Sequence, residues 1–209
     1  MDDSEKIDIR VLTKSQLREL FANKGLLRYK ADQVYNWIWK KGVHSFDLMT
    51  NISKELRSFL ELNFQINRIK FDVSQKSIDG TIKNSVRLND NNLVEAVLIP
   101  TKNRKTACVS SQVGCSLNCE FCATSKMKKI RNLKKEEIFD QVFLMNKQSL
   151  NFYNKPLTNI VFMGMGEPLL NYDNVISAIN KITDLSFLGF SHNRITISTS
   201  GIPKFIKKL

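Results

Sequence analysis

Apolar positions recur at helical spacing through the first 65 residues. Leu17, Leu20 and Phe21 share one face of a segment opened by Thr13 and Gln16, a capping-box pair, and stopped at Gly25. A second helix is predicted over 30–41, with Ala31, Val34, Tyr35 and Ile38 inward and Gly42 after its basic end. Ser53 opens a third, with Leu56, Phe59 and Leu60 inward. Trp37 and Trp39 are expected in the core, although indole rings could also stack on bases. Residues 1–65 thus form a small helical domain.

At residue 66 the period changes from helical to alternating. INRIKFDVSQK alternates, Asp79-Gly80 marks a tight turn, and TIKNSVRL leads through NDNN to LVEAVLIP. This predicts an antiparallel meander over 66–100, with Pro100 and TKNRK as a linker out of it. From 101 to 209 strand, loop and helix alternate. ACVSSQ is a strand, EEIFDQVFLM a helix and NIVFMG a buried strand ending in GMGEP. NYDNVISAINKI is a helix capped by Asn171 or Asp173, RITISTSG a third strand, and IPKFIKKL begins a further helix. Successive strand–helix units give an α/β class with a parallel sheet or part of a β/α barrel. Ligands then gather at the carboxyl ends of the strands, where the cysteine loop, GMGEP and STSG fall.

Charge sharpens this picture. The net formal charge is +12, and half of the surplus lies in residues 101–150, where ten basic side chains face four acidic ones. TKNRK at 101–105 and KMKKIRNLKK at 126–135 carry it. A polyanion such as RNA suits that pattern, because Lys and Arg displace counterions condensed on phosphates; a merely solvated basic surface is the plainer reading. No run approaches the ~20 apolar residues of a membrane span. MDDSEKIDIR lacks the apolar centre of a secretory leader. A cytoplasmic protein without a membrane role is expected.

All four cysteines, Cys108, Cys115, Cys119 and Cys122, lie within fifteen residues. In a cytosolic chain such a cluster points to metal or redox chemistry rather than a disulfide framework. Cys115, Cys119 and Cys122 have the spacing CxxxCxxC. Three thiolates from one loop can each hold one iron of a [4Fe–4S] cube and leave the fourth iron without a protein ligand. A structural zinc site is the alternative, but zinc favours four ligands, and His44 and His192 lie far off in sequence.

With Phe121 before the last cysteine, the loop resembles the radical S-adenosylmethionine superfamily. The wider string ACVSSQVGCSLNCEFCATS, followed by FMGMGEPLLNYDNV and ITISTSG, resembles its RlmN-type family. These are bacterial dual-specificity ribosomal and transfer RNA (adenine-C2)-methyltransferases, sister to the Cfr-type C8 enzymes. The resemblance implies a partial radical-SAM β/α barrel holding one [4Fe–4S] cluster on Cys115, Cys119 and Cys122. It also implies that S-adenosyl-L-methionine is held by Gly166, Glu167 and Ser198. The open iron binds the methionyl group, and electron transfer yields a 5′-deoxyadenosyl radical. Further implications are Glu95 as proton acceptor at the adenine and Cys108 as the cysteine that resolves an enzyme–RNA adduct through a transient disulfide. Without the family, Glu95 reads as an outward edge-strand carboxylate, Cys108 as inert core, and Ser198 as a hydroxyl bonded to local backbone.

The implied substrates are an adenine of 23S ribosomal RNA and one in the anticodon region of transfer RNA. A flavodoxin-like electron donor and a monomeric enzyme are further expectations. The family also keeps a second catalytic cysteine toward its C-terminus, and this chain has none after Cys122. With fewer strand–helix units than the family's barrel, the chain is expected to be an N-terminal portion unable to complete methyl transfer alone. The alternatives are a Cfr-type C8 methyltransferase and a non-catalytic RNA-binding protein with a zinc-stabilised cysteine loop.

Overall fold

The computed structural model describes residues 6–117 and 119–209. The chain divides into two compact units, Met1–Arg68 and Ile69–Leu209. In the first, helices α1 (Lys14–Asn23), α2 (Arg28–Asn36) and α3 (Lys54–Asn63) form as their caps dictate. Thr13 and Gln16 make the reciprocal capping box, and Ser53 Oγ accepts from the Leu56 amide. The α2 helix runs on through a π-helical turn over Trp37–Lys41 and stops at Gly42, whose φ is +67°. Strands β1 (Ile7–Asp8) and β2 (Phe64–Gln65) pair in parallel and bring the ends of this unit together. Trp39 is buried, as are Leu17, Phe21, Ile38 and Leu60, and its ring centroid lies 6.1 Å from that of Tyr35, so burial decides its role. Trp37 is only half-buried, with Lys41 Nζ 3.3 Å from its ring centroid.

The second unit is built on one six-stranded sheet. Strands β3 (Lys70–Lys76), β4 (Ile82–Arg87) and β5 (Leu93–Pro100) are the antiparallel meander. The segment TKNRK is a hairpin turn rather than a linker. The Thr101 amide donates to the Arg104 carbonyl at 2.8 Å, and β5 pairs antiparallel with β6 (Lys105–Cys108). A small hairpin, β7 (Gln112–Val113) with β8 (Arg131–Asn132), follows, then α4 (Lys135–Tyr153) and β9 (Asn159–Phe162). Next come α5 (Tyr172–Thr183), β10 (Ile195–Ile197) and the short α6 (Pro203–Ile206). The sheet order is β10-β9-β6-β5-β4-β3, with β6, β9 and β10 parallel. This is an open, partial β/α sheet, as the strand–helix alternation predicts, continuous with the meander.

Alternation gives the sheet two different faces. Ile82, Asn84, Val86, Val94, Ala96, Leu98, Ala107, Ile160 and Phe162 are buried on one face. There the Asn84 amide exchanges hydrogen bonds with Gln148 of α4, both 2.9 Å long, so that two polar side chains enter the core satisfied. Lys83, Ser85, Glu95, Val97, Thr106 and Cys108 occupy the opposite, more open face. Among the described residues no helix is long and apolar enough to cross a membrane.

Candidate active site

The site is built at the carboxyl ends of β6, β9 and β10. ACVSSQ does not continue as a strand beyond Cys108, because the next residues turn inward to hold the GMGEP segment. Ser110, Ser111 and Gln112 are all fully buried. Ser110 Oγ accepts from the Met165 amide at 2.8 Å and donates to the Glu95 carbonyl at 2.5 Å. The Ser111 amide donates to the Met165 carbonyl, and Gln112 Oε1 accepts from the Glu167 amide at 2.9 Å. Gln141 of α4 bonds both the amide and the carbonyl of Ser110. Asn171 is not a side-chain cap of α5. Its amide nitrogen instead donates to the carbonyls of Ser111 and Leu133, at 2.8 Å each. A buried polar network of this kind rigidifies when every member is satisfied.

Two glycines make the close approach possible. A Cβ on Gly164 would lie 2.6 Å from Ser110 Oγ and 2.7 Å from the Val109 carbonyl oxygen. A Cβ on Gly166 would lie 2.4 Å from Gln112 Cβ, and the backbone there has φ +92°. Only glycine fits both constraints.

The cysteine loop leaves and re-enters through the β7–β8 hairpin. Gly114, at φ +72°, sits so close to Lys128 that a Cβ would lie 2.2 Å from its carbonyl oxygen. Arg131 on β8 fastens this hairpin with a bidentate pair to Glu137 of α4, both contacts 2.8 Å, and a 2.6 Å bond to Asp90 in the β4–β5 turn. The Arg131 hydrogen bond holds the Asp90 carboxyl down to about 2. A depressed carboxylate stabilises the fold above its unfolded value near 4 and loses that contribution as pH falls toward 2. With the Asp90 side chain 41% exposed, the contribution is at most about 1 kcal/mol. Urea unfolding of the Arg131→Met protein at stepped pH should therefore show a shallower loss of stability between pH 4 and 2 than the parent. An unchanged slope would remove the pair from the account.

Cys115, Cys119 and Cys122 line one cavity of about 320 Å³ together with Gly164, Gly166, Glu167, Ser198, Thr199 and Ser200. The six residues predicted for cluster and S-adenosylmethionine therefore share one chamber. All four cysteines are free and half-buried. Among the described residues no trio of His, Cys, Asp or Glu is gathered tightly enough for a single ion. The three loop thiols around this chamber are the ones the resemblance assigns to a cube, in which each iron takes its own thiolate. Glu167 is buried, and its carboxylate is already engaged. Oε1 accepts from Thr199 Oγ at 2.7 Å and the Leu169 amide at 2.9 Å, and Oε2 accepts from the Ser200 amide at 2.8 Å. It thereby ties the loop after β9 to the loop after β10, a role that spacing alone does not reveal. Ser198 follows β10 directly and is exposed to the chamber.

Glu95 and Cys108 do not line this chamber. They sit on the open face of the sheet, on the adjacent strands β5 and β6. Val97 lies opposite Cys108, which makes Glu95 its diagonal neighbour, about 7–8 Å away in an antiparallel pair. β5 is a central strand, so the edge-strand reading of Glu95 does not hold. Its carboxylate is half exposed and 2.6 Å from Lys83 Nζ, rather than desolvated. The backbone of Glu95 is tied to the site nonetheless, through Ser110 Oγ and through the sulfur of Met165. Burial pushes the Cys108 thiol up, opposed by the backbone of Met163, a residue of the chamber wall. Iodoacetamide should accordingly label Cys108 more slowly than free cysteine at pH 7, with a rate still climbing above pH 9. A labelling rate at pH 7 equal to that of free cysteine would contradict the burial.

Residues 7–66 match the ribosomal RNA large subunit methyltransferase N-terminal domain family, and residues 109–209 match the radical SAM superfamily. The probable dual-specificity RNA methyltransferase RlmN of Christiangramia forsetii is 60% identical over 204 residues, covering 98% of this chain and 58% of that protein. The corresponding Flavobacterium johnsoniae protein is 58% identical over 205 residues, covering 98% and 59%. A crystal structure of a radical SAM methyltransferase from Sphaerobacter thermophilus is similar with a TM-score of 0.86 at 35% identity, covering 97% of this chain and 59% of that one. The chain thus spans somewhat under two thirds of the length of the relatives it matches.

Proposed function

Because the chain belongs to the RlmN-type family of the radical SAM superfamily, we propose that it serves a radical S-adenosylmethionine RNA methyltransferase. The target is C2 of an adenine in 23S ribosomal RNA and in transfer RNA. The observation that carries this reading is the single chamber where the three loop cysteines meet Gly166, Glu167 and Ser198. Cys115, Cys119 and Cys122 each supply one thiolate to a [4Fe–4S] cluster. Gly166 offers backbone at the chamber wall and Glu167 a carboxylate to the ammonium group of S-adenosylmethionine, and Ser198 offers a hydroxyl to the same ligand. When bound, these groups supply one-electron carbon-radical chemistry.

The remaining roles fall to this chain's own residues. Thr199 and Ser200 hold the Glu167 carboxylate in one orientation, so that no reorganisation is needed on binding. Gln112 and Ser110 hold the turn that carries it. On the open sheet face, Glu95 accepts the proton at the adenine, with Lys83 as its resting partner. Cys108, its diagonal neighbour, resolves the enzyme–RNA adduct by disulfide formation with the family's second catalytic cysteine, which these 209 residues do not contain. Placing base and thiol on adjacent strands keeps both within reach of one extruded base. The helical unit and the exposed Lys126 and Lys128 bind RNA phosphates, and a flavodoxin-like donor supplies electrons to a monomeric, cytoplasmic enzyme.

Nucleoside mass spectrometry of 23S ribosomal RNA and transfer RNA tests the reading directly. Cells lacking the gene that encodes this sequence should lose 2-methyladenosine from both RNAs and regain it with a version extended to the length of its relatives, whereas the 209 residues alone, with no cysteine after Cys122, should not restore it. Loss of 8-methyladenosine instead would assign the Cfr-type reaction, and retention of both would overturn the proposal.

A further inference from the structure

The basic segments at 101–105 and 126–135 are near neighbours in sequence, yet the topology sends them to opposite ends of the sheet. The β6 strand runs from Lys105 to Cys108, so the TKNRK turn lies at the amino end of the parallel strands and KMKK lies beside the cysteine loop at their carboxyl end. Other segments join the turn at the amino end. Thr158 bonds Lys105 in both directions, which places the connection from α4 to β9 beside it. Tyr153 at the end of α4 donates its hydroxyl to the Gly80 carbonyl, which brings in the β3–β4 turn. Gly80 in turn packs against Pro100, where a Cβ would lie 3.2 Å from its ring.

This end carries cations and aromatic rings together. Lys76, Lys102, Arg104 and Lys155 are all exposed. Phe152 is 54% exposed, with Lys76 Nζ 5.1 Å from its centroid, and Tyr153 lies 6.4 Å from it between Lys76 and Lys105. Lys105 is buried and spends its ammonium group on the carbonyls of Thr101 and Arg104, which fixes the turn that displays its two charged neighbours. In the contributing segments 76–81, 100–105 and 152–156, Asp79 is the one acidic residue. Its carboxylate is engaged by Thr81.

We propose that this end of the sheet is a second RNA-binding surface, for a single-stranded segment remote from the reacting adenine. Lys102, Arg104 and Lys155 take flanking phosphates, and Phe152 stacks on an unpaired base. A duplex presents phosphates but no free base face, so the exposed ring is what selects a single strand. The inference rests on the reading that RNA is the substrate. It adds that the molecule is gripped at both ends of the sheet, so that a large folded RNA is held at two separated points.

Fluorescence anisotropy with the 209-residue chain and a labelled single-stranded ribosomal RNA fragment, over a salt series, tests it. The triple variant Lys102→Ser, Arg104→Ser, Lys155→Ser should reduce the slope of log affinity against log salt by about 2, at about 0.7 per single-strand phosphate. Phe152→Ala should leave that slope unchanged and weaken binding at least about fivefold, the loss of one stacked base. Lys102 and Lys155 should also be protected from acetylation when RNA is bound, a readout on the parent protein that needs no variant. Parent-like slope and affinity in both variants, with loss confined to Lys126→Ser, Lys128→Ser, would overturn the second surface and leave the methyltransferase reading standing. Equal affinity for duplex and single strand would overturn the stacking role. No RNA binding by the parent chain would overturn both this surface and the substrate reading on which it rests.

Discussion

Replacing any one of Cys115, Cys119 or Cys122 by Ala is expected to abolish iron–sulfur absorbance after anaerobic reconstitution of this chain. On the proposed assignment the effect is all-or-none, because each thiolate would serve its own iron and the chamber offers no other cysteine among the described residues. Cys108, the remaining one, lies on β6 on the open sheet face and is absent from the chamber wall. A water molecule or Ser198 is a poor substitute for a soft thiolate at iron. Cys108→Ala should therefore reconstitute to the parent's iron content, which makes it the internal control for folding. Iron and sulfide analysis beside the absorbance spectrum distinguishes the cluster from a zinc site, since zinc-loaded protein is colourless. A full cluster in the Cys122→Ala protein, or stoichiometric zinc in place of iron in the parent, would refute the assignment.

Gly166→Ala is expected to destabilise the second unit by about 2–6 kcal/mol. Left-handed backbone strain at φ +92° accounts for ~1–3 kcal/mol, and forcing a methyl group against Gln112 adds ~1–3 kcal/mol. Gln112 has little freedom to yield, because its amide is bonded to the Glu167 amide on one side and to Asn132 Oδ1, at 2.8 Å, on the other. The damage therefore reaches both the Glu167 turn and the β7–β8 hairpin that carries the cysteine loop. Gly201→Ala is the matched comparison. It has φ +96° but open space around the position of its Cβ, so it should lose only the strain. Urea unfolding of the two variants measures the difference. Equal destabilisation would mean that Gln112 gives way, and that the close packing of these two loops is not what requires glycine.

Much of the local structure and the grouping of the three loop thiols was legible in the amino-acid pattern because both depend on short-range spacing. The Thr13–Gln16 capping box, the Ser53 cap and the Asp79-Gly80 turn act within four residues of chain, and each forms as its residue types dictate. The CxxxCxxC loop is equally local: three thiols on eight residues stay close together, and the loops after β9 and β10 complete the chamber around them. GMGEP and STSG could be placed at strand ends by alternation alone, and the parallel β6, β9 and β10 bring them to the same chamber.

What the pattern did not reveal depends on which residues meet across long separations. Ser110, Ser111 and Gln112 read as strand residues, yet they leave the sheet because Met165 and Glu167, more than fifty positions onward, offer the backbone groups they bond. Asn171 has the residue type of a helix cap, but carbonyls of Ser111 and Leu133 capture its amide instead. Glu167 carries no mark in sequence of the Thr199 and Ser200 donors that orient it. The basic run 101–135 looks like one surface along the chain. An intervening strand and a loop turn it into two surfaces, at opposite ends of the sheet. Hydrogen-bonding capacity and charge belong to the residue and could be read from it. Partner and direction belong to the tertiary structure, because a buried donor bonds whichever acceptor the packing of distant segments places beside it.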